Sequence, residues 1–178
     1  MTLLKTAYRN QTVGNLPAIA LTRKVLTAEQ LKPFQRLVSE QVKSRPCVRG
    51  HQQRMGVNNV GNLSRYRTLK EYSWPVEFKS ALQPLATVVA REATHWLLYF
   101  GEGDFLDEQD AWLDRRTPVD FYLVALYPKQ HLVIDGRTYT LSSGDAIQFA
   151  PSYRHAVLPV KGEAAWLCFM VFRDFCAK

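Results

Sequence analysis

The sequence predicts an α+β protein in which helices come first and many short strands form a sandwich or barrel in the second half. Two observations lead to this prediction. Apolar side chains such as Leu31 and Phe34 recur at helical spacing between Thr27 and Lys43. From Pro118 onward the pattern changes to short apolar stretches that are separated by turn residues, which is typical of a β-rich half.

The chain opens with one expected strand and one expected helix. Residues 16–26 form a short apolar stretch that is typical of a strand. Thr27 and Gln30 then have the form of a capping box, so we expect a helix over residues 27–43. Pro33 would break an interior turn, and we therefore place it in the first turn of that helix.

Two further helical pieces are expected over residues 75–98. Pro75 and Pro84 each occupy a position that is typical of the start of a helix. The second piece would carry its apolar side chains toward the core. These side chains are Leu85, Val88, Val89, Trp96 and Leu97. His95 lies beside this apolar face, and we interpret it as a structural histidine.

Turn signals divide the second half into strands. Asp135 and Gly136 lie between two apolar stretches, which is a strong signal for a two-residue hairpin. A second turn is expected at residues 142–145, Ser-Ser-Gly-Asp, before the next apolar stretch. No repeat or linker interrupts the pattern, so we expect residues 1–178 to form a single domain.

The composition limits the class of protein. The chain has 178 residues, of which 47% are hydrophobic, and this is enough to bury a substantial core. It contains no apolar run of about eighteen residues, and its N-terminal apolar stretch is too short for a signal peptide. We therefore expect a cytoplasmic protein that does not bind membranes. Cys47, Cys168 and Cys176 lack the spacing of a metal or disulfide site and predict free thiols.

The net charge of +7 comes from the first half of the chain. Residues 43–70 hold seven Lys or Arg side chains and no acidic one. Such a segment is typical of a loop that binds a phosphate, an acidic protein or a nucleic acid. A solvated surface loop has the same composition. The candidate anion-binding residues are Arg49, Arg54, Arg65 and Arg67.

The chain carries two motif-like stretches, at residues 103–111 and 142–160, and most of its length resembles the prolyl-hydroxylase-like branch of the 2-oxoglutarate/Fe(II) oxygenases. Residues 103–111, GDFLDEQDA, resemble that family's G-x-F-L-x-x-H-x-D block. Residues 142–160, SSGDAIQFAPSYRHAVLPV, resemble its G-D-A-L-x-F-x-x-x-x-x-H-x-V-x-P-V block. The resemblance implies a double-stranded β-helix, or jelly roll, built mainly from residues 99–172, with the N-terminal helices packed on one side.

The resemblance also implies an Fe(II) site of two His and one carboxylate, with a basic residue that pairs with 2-oxoglutarate. The distal His falls on His155, but the first His falls on Gln109 and the carboxylate on Ala111. The basic residue falls on Ala164 or Ala165. An amide is a poor ligand for Fe(II) and Ala coordinates nothing, so this reading indicates a jelly roll with a degenerate metal site.

We therefore expect a pseudoenzyme, that is, a non-catalytic binding or regulatory protein that requires no cofactor. Its pocket would be lined by Gln109, Ala111, Tyr122 and His155. Neutral donors and acceptors of this kind suit a small polar ligand or a peptide side chain. The same pocket could instead serve only as a scaffold for a partner protein.

Two alternatives give the jelly roll another use. Nearby side chains could replace the missing ligands around His155, which would make the protein an active non-haem iron oxygenase of the hydroxylase type, using Fe(II) and 2-oxoglutarate. The candidate substitute ligands are Asp107, Glu108, Asp110 and His131. Residues 133–155 also resemble the second motif of cupins, which share the jelly-roll core, so a small-ligand cupin is the other alternative.

Overall fold

The fold consists of two antiparallel β-sheets, with helices against the larger one. The computed structural model describes residues 19–49, 64–109 and 119–172. The strands are β1 (Ala20–Thr22), β2 (Val48–Arg49), β3 (Arg65–Lys70), β4 (Glu92–Phe100), β5 (Leu106–Gln109), β6 (Val119–Ala125), β7 (Gln130–Ile134), β8 (Arg137–Leu141), β9 (Ala146–Phe149), β10 (His155–Val157) and β11 (Ala164–Phe172). The helices are α1 (Ala28–Leu37), α2 (Val76–Lys79) and α3 (Ala86–Val89). None of the helices in the described ranges has the length and apolar character needed to cross a membrane.

The strands are connected as a jelly roll. The larger sheet has the order β1-β9-β6-β11-β4-β3-β2, and the smaller sheet has the order β5-β10-β7-β8. From β4 onward, successive strands alternate between the two sheets, except for the hairpin of β7 and β8. All of these pairings are antiparallel. The prediction of an α+β fold with a jelly-roll core is therefore confirmed.

The larger sheet buries an apolar cluster on each of its faces. The inner cluster fills the space between the two sheets and includes Phe100 and Leu123. The outer cluster lies between the larger sheet and the helices and includes Phe34 and Leu167. Successive residues of a strand point to opposite faces, so neighbouring positions of β6 and β11 belong to different clusters. This alternation decides which of the candidate site residues face the jelly-roll interior.

Helix α1 begins where the capping box predicts. The Thr27 hydroxyl accepts a hydrogen bond from the Gln30 amide at 3.3 Å, and the Gln30 side chain accepts one from the Thr27 amide at 2.9 Å. A π-helical turn at Val38–Val42 continues the helix, so the helix expected over residues 27–43 is confirmed. Pro33 lies inside α1 rather than in its first turn, because the capping box starts the helix well before it.

The helix expected after Pro84 is wrong in its second half, where the chain forms β4. Helical structure in this part is limited to α2, the 3-10 turn Ser80–Leu85 and the four-residue helix α3. β4 pairs with β3 on one side and with β11 on the other. Side chains such as Thr94 and Trp96 favour a strand, and pairing with two neighbours outweighs the helical spacing of the apolar residues.

Both turns predicted in the second half are present. Asp135 and Gly136 connect β7 to β8 with φ angles of 50° and 74°, as a type I′ turn requires. Residues 142–145 form the turn before β9, and Gly144 in this turn has a φ angle of 82°. The carbonyl oxygen of Gly144 accepts a hydrogen bond from the Leu26 amide at 3.3 Å. The second turn therefore contacts the segment that leads into α1.

Asp145 strengthens this contact. It is 1% exposed, and its carboxylate accepts hydrogen bonds from the amides of Lys24 at 3.0 Å and Ser142 at 2.9 Å. The same carboxylate pairs with the Arg23 guanidinium. Burial by itself raises the pKa of Asp145, but these donors outweigh burial and hold the pKa below its usual value. Asp145 is therefore a structural anchor for the segment before α1.

Candidate functional site

His155 lies inside the jelly roll, between two aromatic rings. It is the first residue of β10 and is 6% exposed. Its ring centroid is 5.6 Å from that of Phe121 on β6 and 5.4 Å from that of Phe149 on β9. The side chain that matches the distal metal ligand therefore faces the interior between the sheets.

The backbone holds one nitrogen of the His155 ring. Nδ1 lies 2.9 Å from the carbonyl oxygen of Tyr153. A carbonyl oxygen can only accept, so Nδ1 carries the proton of this bond and Nε2 carries the lone pair of the neutral ring. A ring held in this way can use Nε2 as a hydrogen-bond acceptor or as a metal ligand.

Gln109 is the cross-strand neighbour of His155. β5 and β10 are antiparallel, and the Cα atoms of these two residues are partners. The next pair joins Leu106 to Val157, so a β-bulge adds one residue to β5. The structure thus places the position that matches the first His of the oxygenase pattern directly beside the distal one. The side chain of Gln109 and the whole of Ala111 lie outside the described residues.

Tyr122 faces away from His155. It belongs to the outer cluster, where its ring centroid is 6.2 Å from that of Phe169, and burial raises the pKa of its hydroxyl. The preceding residue, Phe121, faces the interior and contacts His155. The expectation that Tyr122 lines the pocket is corrected, because strand alternation puts Phe121 there instead.

His131 lies on the outer face of the smaller sheet. It is exposed, and its Nδ1 is 3.0 Å from the hydroxyl oxygen of Thr140 on β8. The next residue of β7, Leu132, belongs to the inner cluster. His131 and His155 therefore face opposite sides of the sheet, which corrects the alternative in which they share a metal ion.

The candidate substitute carboxylates occupy the bulged strand β5. Glu108 is exposed and lies 3.5 Å from the Arg154 guanidinium. One oxygen of Asp107 accepts a hydrogen bond from the Glu108 amide at 2.9 Å. Asp110 lies outside the described residues. Both described carboxylates are thus engaged by groups of the protein near the surface.

The described residues do not by themselves complete an iron site. Among them, no group of three His, Cys, Asp or Glu side chains is arranged to hold a metal ion. His155 would bind iron through Nε2, and its other ligands would have to come from residues outside the described ranges. Ala164 faces the inner cluster and Ala165 the outer one, so the basic partner for 2-oxoglutarate would be needed at Ala164. The described part of the chain therefore supplies one iron ligand, His155, but no basic residue at position 164 to pair with 2-oxoglutarate.

Two buried polar side chains in the interior were not singled out by sequence analysis. Gln130 begins β7 and is 2% exposed, and its amide nitrogen and oxygen have no hydrogen-bond partner among the described residues. Trp166 on β11 is 1% exposed, and its Nε1 likewise has no hydrogen-bond partner among the described residues. Alternation with Leu132 could have placed Gln130 on the inner face. Whether the side chains of Gln130 and Trp166 find hydrogen-bond partners depends on how the two sheets pack together, and alternation along one strand does not predict that packing.

Replacing Gln130 with Leu should raise the free energy of unfolding by about 1–3 kcal/mol, because the substitution removes buried polar atoms that lack hydrogen bonds. Chemical denaturation would measure the change. Gln148→Leu is the matched control, since the Gln148 amide donates to Asp120 at 2.9 Å and its loss should destabilise the protein. A loss of stability in both variants would show that the Gln130 amide is hydrogen-bonded in solution.

Part of the positive charge of residues 43–70 is balanced by an acidic side chain of the protein. Asp104 is 2% exposed, and its carboxylate lies 3.3 Å from the Arg65 guanidinium and 3.0 Å from that of Arg67. These two arginines therefore join β3 to the turn before β5, and their charge is partly balanced before any external anion arrives. Arg54 and the side chain of Arg49 lie outside the described residues.

Comparisons with known proteins find the same fold among oxygenases. No family model matches the sequence, and no curated protein matches it. The viral collagen prolyl hydroxylase of Paramecium bursaria Chlorella virus-1, solved as a 2-oxoglutarate complex, is 11% identical with a TM-score of 0.59, over 87% of this chain and 96% of that one. A Trichoplax adhaerens prolyl hydroxylase, solved with a hypoxia inducible factor peptide, is 11% identical with a TM-score of 0.65. The match covers 86% of this chain and 83% of that chain. HygX of Streptomyces hygroscopicus, solved with nickel and 2-oxoglutarate, is 12% identical with a TM-score of 0.59. The match covers 88% of this chain and 83% of that chain.

These comparisons correct the expectation that no cofactor is needed. That expectation was drawn from Gln109 and Ala111, but solved structures similar to this chain contain 2-oxoglutarate, and HygX also contains nickel. At identities of 11–12% the likeness concerns the fold alone. This chain has the jelly-roll fold of the 2-oxoglutarate/Fe(II) oxygenases, prolyl hydroxylases among them.

Proposed function

We propose that this protein binds a small polar ligand, or a side chain of a partner, in the jelly-roll interior beside His155, and that it does not oxidise what it binds. The observation that supports this proposal is the pairing of His155 with Gln109. A glutamine amide is a poor ligand for Fe(II), so the position that would carry the first metal ligand carries a neutral hydrogen-bonding group. Binding needs only such groups, whereas oxidation needs a complete iron shell.

The surroundings of His155 favour a ligand with a flat apolar part and a hydrogen-bond donor. Phe121 and Phe149 present aromatic rings within 6 Å of the imidazole centroid, and such rings pack well against another planar group. When Nδ1 carries the only ring proton, Nε2 is the nitrogen that can accept a hydrogen bond. Benzamide has both features and is a suitable probe.

An active iron oxygenase is the second candidate, and one observation favours it. The Nδ1–H of His155 points to a backbone carbonyl, as in many metal-binding histidines, where that bond orients Nε2 toward the ion. The remaining ligands would have to come from residues outside the described ranges, such as Asp110.

Succinate release distinguishes the two candidates. With Fe(II), ascorbate and 2-oxoglutarate, we expect the native protein to release no more succinate than the same mixture without protein. Ligand-detected NMR should show weak binding of benzamide that His155→Ala abolishes. Succinate release by the native protein that His155→Ala abolishes would overturn the non-catalytic proposal and establish the second candidate.

A further inference from the structure

A groove lies on the helix-facing side of the larger sheet, which is the opposite side from His155. We call it the His95 groove. Its volume is about 790 Å³, a size typical of sites for small molecules. It is lined by Glu71, Tyr72, Lys79, Ser80, Leu82, Gln83, Ala86, Val89, Ala90, Glu92, Ala93 and His95. The oxygenase resemblance assigns nothing to this part of the chain.

His95 lies in the wall of this groove, beside two carboxylates. Its side chain is 10% exposed, and Nδ1 lies 3.1 Å from the Glu92 carboxylate and 3.6 Å from the Glu71 carboxylate. A carboxylate only accepts, so Nδ1 is the donor in these contacts. Nε2 is buried and has no hydrogen-bond partner among the described residues. Because Nε2 has almost no accessible surface, a ligand in the groove would meet the two carboxylates rather than this nitrogen.

The carboxylates of Glu71 and Glu92 make the groove locally acidic. The amide of His95 donates to Glu71 at 2.9 Å, and this bond, more than any other contact, lowers the pKa of Glu71. The lining contains two acidic residues and one basic residue, Lys79, so its formal charge is −2 + 1 = −1. The whole chain carries +7, which makes this groove an acidic site in a basic protein.

The rest of the lining is largely apolar. Leu82 belongs to the outer cluster, Val89 packs against it, and three alanines also line the groove. Tyr72 adds an exposed aromatic ring to the rim. A ligand for this groove must therefore combine an apolar body with a cationic group that has N–H donors.

We propose that the His95 groove binds a small organic ammonium ion. Its N–H groups donate to the carboxylates of Glu71 and Glu92, and its apolar body lies against Leu82 and Val89. Charge-assisted hydrogen bonds to two carboxylates select an ammonium over a neutral alcohol of the same shape. This proposal is independent of the function proposed for the His155 side of the sheet.

Phenethylamine is the probe, and 2-phenylethanol is its neutral counterpart. In NMR titrations of the full-length protein, we expect phenethylamine to bind at millimolar concentrations and to shift the imidazole nitrogens of His95 and the indole N–H of Trp74, whose ring centroid is 4.6 Å from that of His95. The alcohol should bind about tenfold more weakly. Glu71→Gln and Glu92→Gln should each weaken phenethylamine binding by about fivefold.

Glu29→Gln is the matched control, because it removes one negative charge from an exposed pair with Lys32 on α1 and should leave binding unchanged. Equal binding of the amine and the alcohol would overturn the proposal and leave only an apolar groove. Shifts that do not saturate, or that are the same in Glu92→Gln as in the native protein, would overturn it as well. Folding of each variant is checked by its NMR spectrum without ligand.

Discussion

Gly144→Ala should lower the free energy of unfolding by about 3–5 kcal/mol. Gly144 has a φ angle of 82°, which residues other than glycine rarely adopt. A Cβ atom added at this position would overlap the carbonyl oxygen of Leu26. This oxygen belongs to the backbone, so relief requires movement of the segment that leads into α1. Urea denaturation followed by circular dichroism would measure the loss.

Gly136→Ala separates the two causes of this effect. Gly136 has a φ angle of 74°, and an added Cβ there meets nothing within 4 Å. The variant therefore carries only the backbone strain, and we expect it to lose about 1–2 kcal/mol. If both variants lost the same amount, the close approach of Gly144 to Leu26 would not exist in solution.

Part of the block at residues 142–160 has a structural role rather than a chemical one. Gly144 and Asp145 belong to the block that resembles the oxygenases and ends in the distal His. In the structure they hold the segment before α1 rather than contribute to the site. Gly144 and Asp145 therefore have a structural role, whereas Phe149 and His155 of the same block face the interior beside each other.

The second large effect is expected on metal affinity. Gln109→His combined with Ala111→Asp should raise the affinity for Fe(II) by about 100-fold or more, measured anaerobically by calorimetry. Loss of an outer-shell partner alone costs about 10–100-fold in metal affinity, and a direct ligand contributes at least as much. The pairing of Gln109 with His155 places the new imidazole on the strand next to the existing one.

His155→Ala in the repaired protein should abolish the gain. Gln109→Asn with Ala111→Ser is the matched control, because it changes both positions without adding an iron ligand. Ala164→Arg is the further step for 2-oxoglutarate, since Ala164 faces the interior and Ala165 does not. Tight Fe(II) binding by the native protein that the repair does not increase would mean that the native chain already completes the shell, which favours the active oxygenase. Equally weak binding by both proteins would contradict the predicted gain.

Local features of this fold were predictable because they depend on residues close together in the chain. The capping box of Thr27 and Gln30 and the hairpin at Asp135 and Gly136 are of this kind. β4 was missed because its apolar residues also fit helical spacing. Its pairing with β3 and β11, which decides between strand and helix, involves residues far away in sequence.

The sequence by itself determined the α+β class, helix α1, the turns of the second half and the motif that contains His155, since each depends on short-range backbone chemistry or on alternation. Only the tertiary structure decided that Phe121, and not Tyr122, meets His155, and that His95 lies between two glutamates. Such contacts depend on strand register and on the packing of one layer against another. A shift of one residue in register would reverse which face each side chain occupies, and no local pattern specifies that choice.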